Sequence, residues 1–439
     1  MLTKEDNELI CRVGPGTPMG KLMREYWVPA MLSSELPNPD SDPVRVLLLS
    51  EKLIGFRATD GTVGLIQNHC PHRGASLFFG RNEENGLRCV YHGWKFDVKG
   101  QCIDMPNEPA ESNFKNKVKA TAYPCVERGG VVWTYMGPRQ TPPPLPDIEG
   151  NMVEDSVARA FQLPCNWLQI MEGDIDTVHA GILHYGSLKA EDQPAETFSD
   201  YQLRERHAQF AAVDTEAGVC YTAVRPGPPG MDYHRIAQFV FPFWTFTPPG
   251  VLGLKKAASA RVPMDDEHTI TFNLSSISTR RQPGPGAGAG AVAFAPQLPN
   301  TTDWYGRFRP EQSPDNDFLI DREVQRKNVG PSGWTGIRSI GMQDAAMTTS
   351  MGTVYDRTNE RLGTTDTMII RTRRRLIQAA RALDEHGITP PGVDSPEYFR
   401  VRSGGIFLPK KADWIEATKP YRQGAVEHPE LDPAINGPL

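Results

Sequence analysis

Apolar and polar positions change in short runs along the first third of the chain. Val44-Arg45-Val46-Leu47-Leu48-Leu49, Leu53-Ile54-Gly55-Phe56 and Gly130-Val131-Val132-Trp133-Thr134-Tyr135 are brief and punctuated by glycine and asparagine. Runs of this kind predict strands, and together they predict a small all-β domain over residues 41–140. Thr141-Pro142-Pro143-Pro144-Leu145-Pro146 then denies the backbone both helix and ladder hydrogen bonds, so residues 141–150 read as a linker. Residues 151–439 mix strand and helix patterns, as an α+β domain does. Within it, Ile369, Leu376, Ala380 and Leu383 recur at helical spacing, predicting a helix over Asp366 to His386 with Gly387 as its stop. Arg235 to Thr245 reads as a strand with Phe239, Phe241 and Phe243 on one face, and Pro242 inside it suggests an edge or a bulge. The glycine- and alanine-rich stretch from Pro283 to Ala295 has too little side-chain substance to pack and reads as a surface insertion. Its glycines lack the strand-then-helix setting of a dinucleotide fingerprint. Residues 1–40 are expected to return to this C-terminal domain.

Composition narrows the function classes. A chain of 439 residues calls for two domains. Its net charge of −6, with no dominant block of one sign, argues against nucleic acid as a partner. No apolar run approaches the ~18 residues of a membrane span. The start, Met1-Leu2-Thr3-Lys4-Glu5-Asp6-Asn7, is charged and lacks the apolar core of a signal peptide, so a cytoplasmic enzyme is expected. Seven cysteines, odd in number and thinly spread, do not make a disulfide framework. Two of them sit beside histidines.

Cys70-Pro71-His72 is followed, after sixteen residues, by Cys89-Val90-Tyr91-His92. Each half offers one thiolate and one imidazole, and Gly74 and Gly93 follow closely, as tight metal-binding loops require. Zinc accepts four such ligands, although zinc fingers usually separate the cysteines from the histidines. Mixed halves suit a [2Fe–2S] cluster with Cys70 and Cys89 on one iron and His72 and His92 on the other. Neutral imidazoles in place of charged thiolates make that iron easier to reduce.

A second constellation follows the linker. Asp176 and His179 are three apart and share a helix face. His179 and His184 are five apart, about 140° around an ideal helix, so the helix has to loosen between them, and Gly181 is placed to permit it. Two histidines so arranged supply two corners of a facial triad on Fe(II), with a carboxylate as the third.

Both constellations resemble the motifs of bacterial Rieske ring-hydroxylating oxygenases. Cys70-Pro71-His72-Arg73-Gly74 and Cys89-Val90-Tyr91-His92-Gly93-Trp94 resemble the Rieske loops, and Asp-x-x-His-x4-His at Asp176, His179 and His184 resembles the mononuclear iron motif. Respiratory Rieske proteins carry an extra cysteine in each loop; Ala75 and Tyr91 stand at those places here. The resemblance runs through nearly the whole chain, is strongest over 40–190 and 335–410, and points to the phthalate 4,5-dioxygenase-like branch, with chlorobenzoate dioxygenases and O-demethylases of lignin-derived biaryls among its relatives. It implies a β-sandwich Rieske domain, an α+β catalytic domain with an antiparallel sheet flanked by helices, a Rieske [2Fe–2S] cluster on Cys70, His72, Cys89 and His92, and a mononuclear Fe(II) on His179 and His184. Asp344, in Gly341-Met342-Gln343-Asp344-Ala345-Ala346-Met347, resembles the third ligand; Asp317 and Asp321 lie in a polar stretch that looks like surface. Asp176 is then the carboxylate that accepts hydrogen bonds from His179 and from His92 of a neighbouring subunit. Glu172 reads either as a polar or acid/base residue near the iron or as a helix-surface carboxylate.

By the same resemblance, electrons come from a separate NAD(P)H-dependent reductase, enter at the cluster and pass to the iron, and O2 is the co-substrate. The two sites of one chain are too far apart, so a head-to-tail homotrimer, or stacked trimers, is implied. The reaction is dihydroxylation of an aromatic acid, or demethylation of a methoxylated one. A bare Rieske electron-transfer protein and a zinc-stabilised binding protein are the alternatives from other classes. For substrate contacts the sequence offers Arg235, able to hold a carboxylate by two parallel hydrogen bonds or else simply solvated at the surface, with Arg225 just before it, and the apolar Phe241 and Phe243, which read first as ordinary sheet core and second as a pocket lining.

Overall fold

The structure is a computed structural model and describes residues 1–248, 250–278, 295–432 and 435. Most of the insertion singled out above, positions 283–294, lies outside the described residues.

Alternating apolar runs build three small antiparallel sheets in the N-terminal region. One joins Val44–Leu48, Glu51–Arg57, Val63–Gln67 and Ala122–Tyr123. A second joins Arg81–Glu83, Gly86–Arg88, Lys95–Phe96 and Cys102–Asp104. Between them lies an apolar core of Ile54, Phe56, Ile66, Leu77, Leu87, Trp94 and Phe96. In the third, Val131–Tyr135 lies between Trp27–Leu32 and Cys125–Arg128. The first forty residues therefore divide. Helices Lys4–Cys11 and Pro18–Arg24 pack on helix Thr367–His386, while Trp27–Leu32 enters a sheet with the β domain.

The C-terminal region is organised by one eight-stranded antiparallel sheet. Its order runs Ser156–Leu163, Thr269–Ser276, Ala257–Pro263, Trp244–Phe246, Met231–Val240, Gly218–Pro226, Gln209–Thr215, and Gly404–Pro409 pairs with the first part of Met231–Val240. Helices Trp167–Ile175 and Thr367–His386 lie against this sheet and share its core with the N-terminal helices. Gly387 closes the second of these with φ +66°, a left-handed conformation that glycine adopts without penalty.

The strand expected from Arg235 to Thr245 is interrupted. Pro242 has no amide hydrogen to give to a ladder, so the strand stops at Val240 and Phe241–Phe243 turn into Trp244–Phe246, which pairs back on it. Phe241 and Phe243 thus sit in a turn, fully buried beside Phe239 and Trp244 in the main core, with Arg375 over the Phe241 ring. They serve as packing, which corrects the substrate-lining role offered for them. Among the described residues no helix is long and apolar enough to cross a membrane.

Candidate metal centres and their surroundings

The two loops of the β domain close in the same way. Cys70 N–H donates to Ala75 O at 2.8 Å and Gly74 N–H to Cys70 O at 2.9 Å. Cys89 N–H donates to Trp94 O at 2.8 Å and Gly93 N–H to Cys89 O at 2.9 Å. Both glycines have positive φ, +76° and +81°, and a Cβ at Gly93 would meet Pro106 at 2.5 Å. That is why glycine follows each ligand pair. The donors sort by type: the Cys70 and Cys89 thiols are neighbours, and the His72 and His92 rings lie 4.4 Å apart. The Nδ1 of His72 is buried and has no hydrogen-bond partner. Sulfur at one end, imidazole at the other and a buried ring nitrogen with nothing to bond fit a two-iron cluster better than a single tetrahedral zinc. Trp94 stacks on His72 at 4.3 Å and is held by its indole N–H on Asn107 at 2.7 Å.

The second site starts from helix Trp167–Ile175. Asn166 caps it, its side chain accepting from Leu168 N–H. Asp174 fixes one flank through two hydrogen bonds of 2.6 Å from Arg261 on the sheet. Glu172 fixes the other: Arg357 and Arg373 donate to its two oxygens, and Arg373 also pairs with Glu360. Burial alone would raise the Glu172 carboxyl, but the two arginines outweigh it and hold it below its ordinary value. Neither expectation for Glu172 is met. It is a buried structural anion, not a helix-surface carboxylate, and with both oxygens bound to guanidinium it has no proton to exchange.

Past Asp176 the backbone forms a π turn over Ala180–His184, with Tyr185 N–H donating to Ala180 O at 3.1 Å. Closing a ring of five residues instead of four brings positions five apart onto one side. This is how His179 and His184 meet; Gly181 has no unusual φ, so the widening comes from the π turn. Arg206 braces the turn through the carbonyls of Gly181, Tyr185 and Leu188.

Helix Ile340–Ser350 brings the third group. His179 Nε2 and His184 Nε2 are 3.2 Å apart, and Asp344 Oδ1 lies 3.2 Å from His184 Nε2 and 3.4 Å from His179 Nε2. The three donor atoms lie within 4.8 Å of one another. Asp176 Oδ2 faces His179 Nδ1 at 3.5 Å, and its Oδ1 accepts from Val178 N–H at 2.9 Å. With Asp176 and Gln343 holding the Nδ1 edges, both Nε2 atoms turn lone pairs toward a carboxylate oxygen. Three acceptors at such separations repel unless a cation lies among them, and two imidazoles with one carboxylate are the donor set of a facial triad. Asp317 and Asp321 do not join this group.

Arg235 donates to Thr177 Oγ1, next to Asp176. It does not stand alone. Strand pairing sets Ala223 opposite Arg235 and Arg225 opposite Tyr233, so Arg225, Arg235, Tyr221 and Tyr233 share one face, with small Ala223 and Ala237 among them. Arg225 is 1% exposed. Its Nε donates to Glu205 O at 2.9 Å, while both terminal nitrogens are buried without a partner. Burial, then the nearby Arg235 charge, lowers its pKa. Burial also pushes the Tyr221 phenol up to about 12, so it stays neutral. Two guanidiniums sharing a buried face, one with unmet donors, make a seat for an anion. A period of two along this strand is the signal that could have set Tyr221 and Arg225 on one face; what the sequence hid was which face turns toward Asp176 and His179.

Comparison with known proteins follows the same division. The Rieske [2Fe-2S] domain family matches residues 26–124, and the family described as LigXa C-terminal domain like matches residues 134–435. The 3-chlorobenzoate-3,4-dioxygenase oxygenase subunit of Comamonas testosteroni is 46% identical over 97% of this chain and 100% of its own length. The phthalate 4,5-dioxygenase oxygenase subunit of Pseudomonas putida is 39% identical over 96% of each chain. Among solved structures, the terminal oxygenase of carbazole 1,9a-dioxygenase from Novosphingobium sp. KA1 shares the fold, with a TM-score of 0.54 at 20% identity over 87% of this chain and 99% of its own.

Proposed function

The chain belongs to the Rieske oxygenases, as an oxygenase subunit, and from that membership we propose that it dihydroxylates an aromatic acid of the chlorobenzoate or phthalate kind. The observation that carries the reading is the convergence of His179, His184 and Asp344, with Arg235 bonded to Thr177 next to Asp176 and, on the same strand face, Arg225 with both terminal nitrogens buried and unbonded. Cys70, His72, Cys89 and His92 hold the [2Fe–2S] cluster, and His179, His184 and Asp344 hold one Fe(II). When bound, the cluster supplies electrons one at a time and the Fe(II) supplies the site where dioxygen is activated. Two electrons from NAD(P)H, delivered by a separate reductase, and two protons balance addition of both oxygen atoms of O2 to the ring.

The chain's own groups do the positioning. Arg225 and Arg235 hold the substrate carboxylate by charge-assisted hydrogen bonds and so present one ring edge toward the histidines. Asp176 orients His179 through its Nδ1 edge. The subunits form a homotrimer in which Asp176 also receives His92 of the next chain. Exposed apolar side chains at both places support that docking: Val90 and Tyr91 at the cluster tip, and Ile182, Trp334, Met347 and Met351 around the histidine site. The test is substrate-dependent O2 uptake with a reductase and NADH across phthalates, chlorobenzoates, methoxylated aromatic acids and the matching amides. Stimulation by acids and not by amides is expected. Equal stimulation by amides would remove the arginine seat from the account.

A further inference from the structure

Gln343 precedes Asp344 in the chain and is 1% exposed. Its amide nitrogen donates to Ile337 O at 3.0 Å and Pro331 O at 3.3 Å, two acceptors that only an NH2 group can satisfy. That settles which way the amide points: Oε1 faces His184 Nδ1 at 2.8 Å. An amide oxygen only accepts, so the proton sits on His184 Nδ1, and Nε2 is left bare toward His179 and Asp344. We propose that Gln343 is the positioning residue that fixes His184 in its ligating tautomer, the neutral counterpart of what Asp176 does for His179.

The two histidines are therefore held differently. The more exposed His179 faces a carboxylate, and the buried His184 faces an amide anchored to the 331–337 loop. Without the amide, the buried Nδ1–H has no partner. The ring then gains by moving its proton to Nε2, where Asp344 accepts it, and that tautomer offers no lone pair to a metal between His179 and Asp344. Partners of this kind are worth roughly 10–100-fold in metal affinity.

The inference rests on the iron-site reading above, and Co(II) binding separates the two. The full chain, its cluster in place and its iron removed, is titrated with Co(II) against a competing chelator, following both affinity and the visible Co(II) band. Gln343→Met is expected to weaken Co(II) by about 10–100-fold and alter the band while leaving the cluster spectrum unchanged. Gln343→Glu keeps an acceptor for His184, whether ionised or protonated, but cannot donate to both loop carbonyls. It is expected to bind within about threefold of the unaltered protein, whereas losing the partner altogether would cost about tenfold or more. If Gln343 only braced the loop, Glu would be as damaging as Met, and that result overturns the proposal. So does unchanged affinity in Gln343→Met. If that variant does not fold, Gln343→Asn, which withdraws the same oxygen, replaces it in the comparison. Failure of the unaltered protein to bind one Co(II) would instead overturn the iron-site reading itself.

Discussion

Replacing Arg225 with methionine separates a substrate-binding arginine from a structural one. The change keeps the aliphatic stem and removes the guanidinium. In the free protein this loses the Nε hydrogen bond to Glu205 O, worth about 1 kcal/mol. It also removes two buried donors with no partner, and a buried unsatisfied group costs ~1–3 kcal/mol. With both donors counted, the balance is a gain of roughly 1–5 kcal/mol by those values. With substrate bound the sign reverses. Truncating one partner of a buried, hydrogen-bonded charge pair costs ~2–5 kcal/mol, and each 1.4 kcal/mol is about tenfold, so KM for an aromatic acid is expected to rise at least ~30-fold. Thermal unfolding of the free protein and steady-state O2 uptake read the two effects. A protein of unaltered or higher Tm with a greatly raised KM is expected. A loss of more than about 5 °C, beyond the ~2–4 °C of a 1 kcal/mol change, with KM unchanged would refute the reasoning and make Arg225 a structural residue.

Arg235→Met is expected to raise KM for the acid severely, as measured in the same assay, and an unchanged KM would end its role in binding the carboxylate. Asp344→Ala is expected to keep the visible cluster spectrum and lose the second kind of iron; metal analysis showing full iron, with activity retained, would rule Asp344 out. Asp176→Asn keeps both sites but slows electron delivery, by about 10–100-fold if it acts as other outer partners do; stopped-flow absorbance of the reduced cluster measures its reoxidation. Glu172→Gln leaves Arg357 and Arg373 facing an uncharged group, and breaking a buried pair costs ~3–5 kcal/mol, to be read by denaturant unfolding. Because the folded carboxyl is held below its ordinary value, Glu172 stabilises the fold fully above about pH 4.3. That contribution is lost as pH falls through the depressed value, and the Gln variant is expected to lack this part of the acid dependence.

The sequence exposed the two metal motifs because each is local. Cys70 to Gly74, Cys89 to Gly93 and Asp176 to His184 are contiguous stretches whose spacing already states the geometry, and the helix ending at Gly387 is equally local. What it hid depends on distant partners. Glu172 looked free because Arg357 and Arg373 arrive 185 and 201 residues later. Gln343 looked like a neighbour of a ligand, and its function appears only when the π turn brings His184, 159 residues upstream in the chain, onto its oxygen. Periodicity misread the segment after Val240, since Phe239, Phe241 and Phe243 alternate as a strand would while Pro242 forbids one. The π turn was legible only as a need: five-residue spacing required the helix to loosen, and nothing in Ala180-Gly181-Ile182-Leu183-His184 says that it does so by widening.

The central claim is that this chain places both atoms of dioxygen on the ring of an aromatic acid. Mass spectrometry of the product formed under ¹⁸O2, with a reductase and NADH, tests it most directly. The account predicts a diol acid carrying two labelled atoms. A product with one label, or formaldehyde with an unmethylated phenol, would contradict dihydroxylation and make the arginine seat one that presents a methyl group, not a ring edge, to the iron.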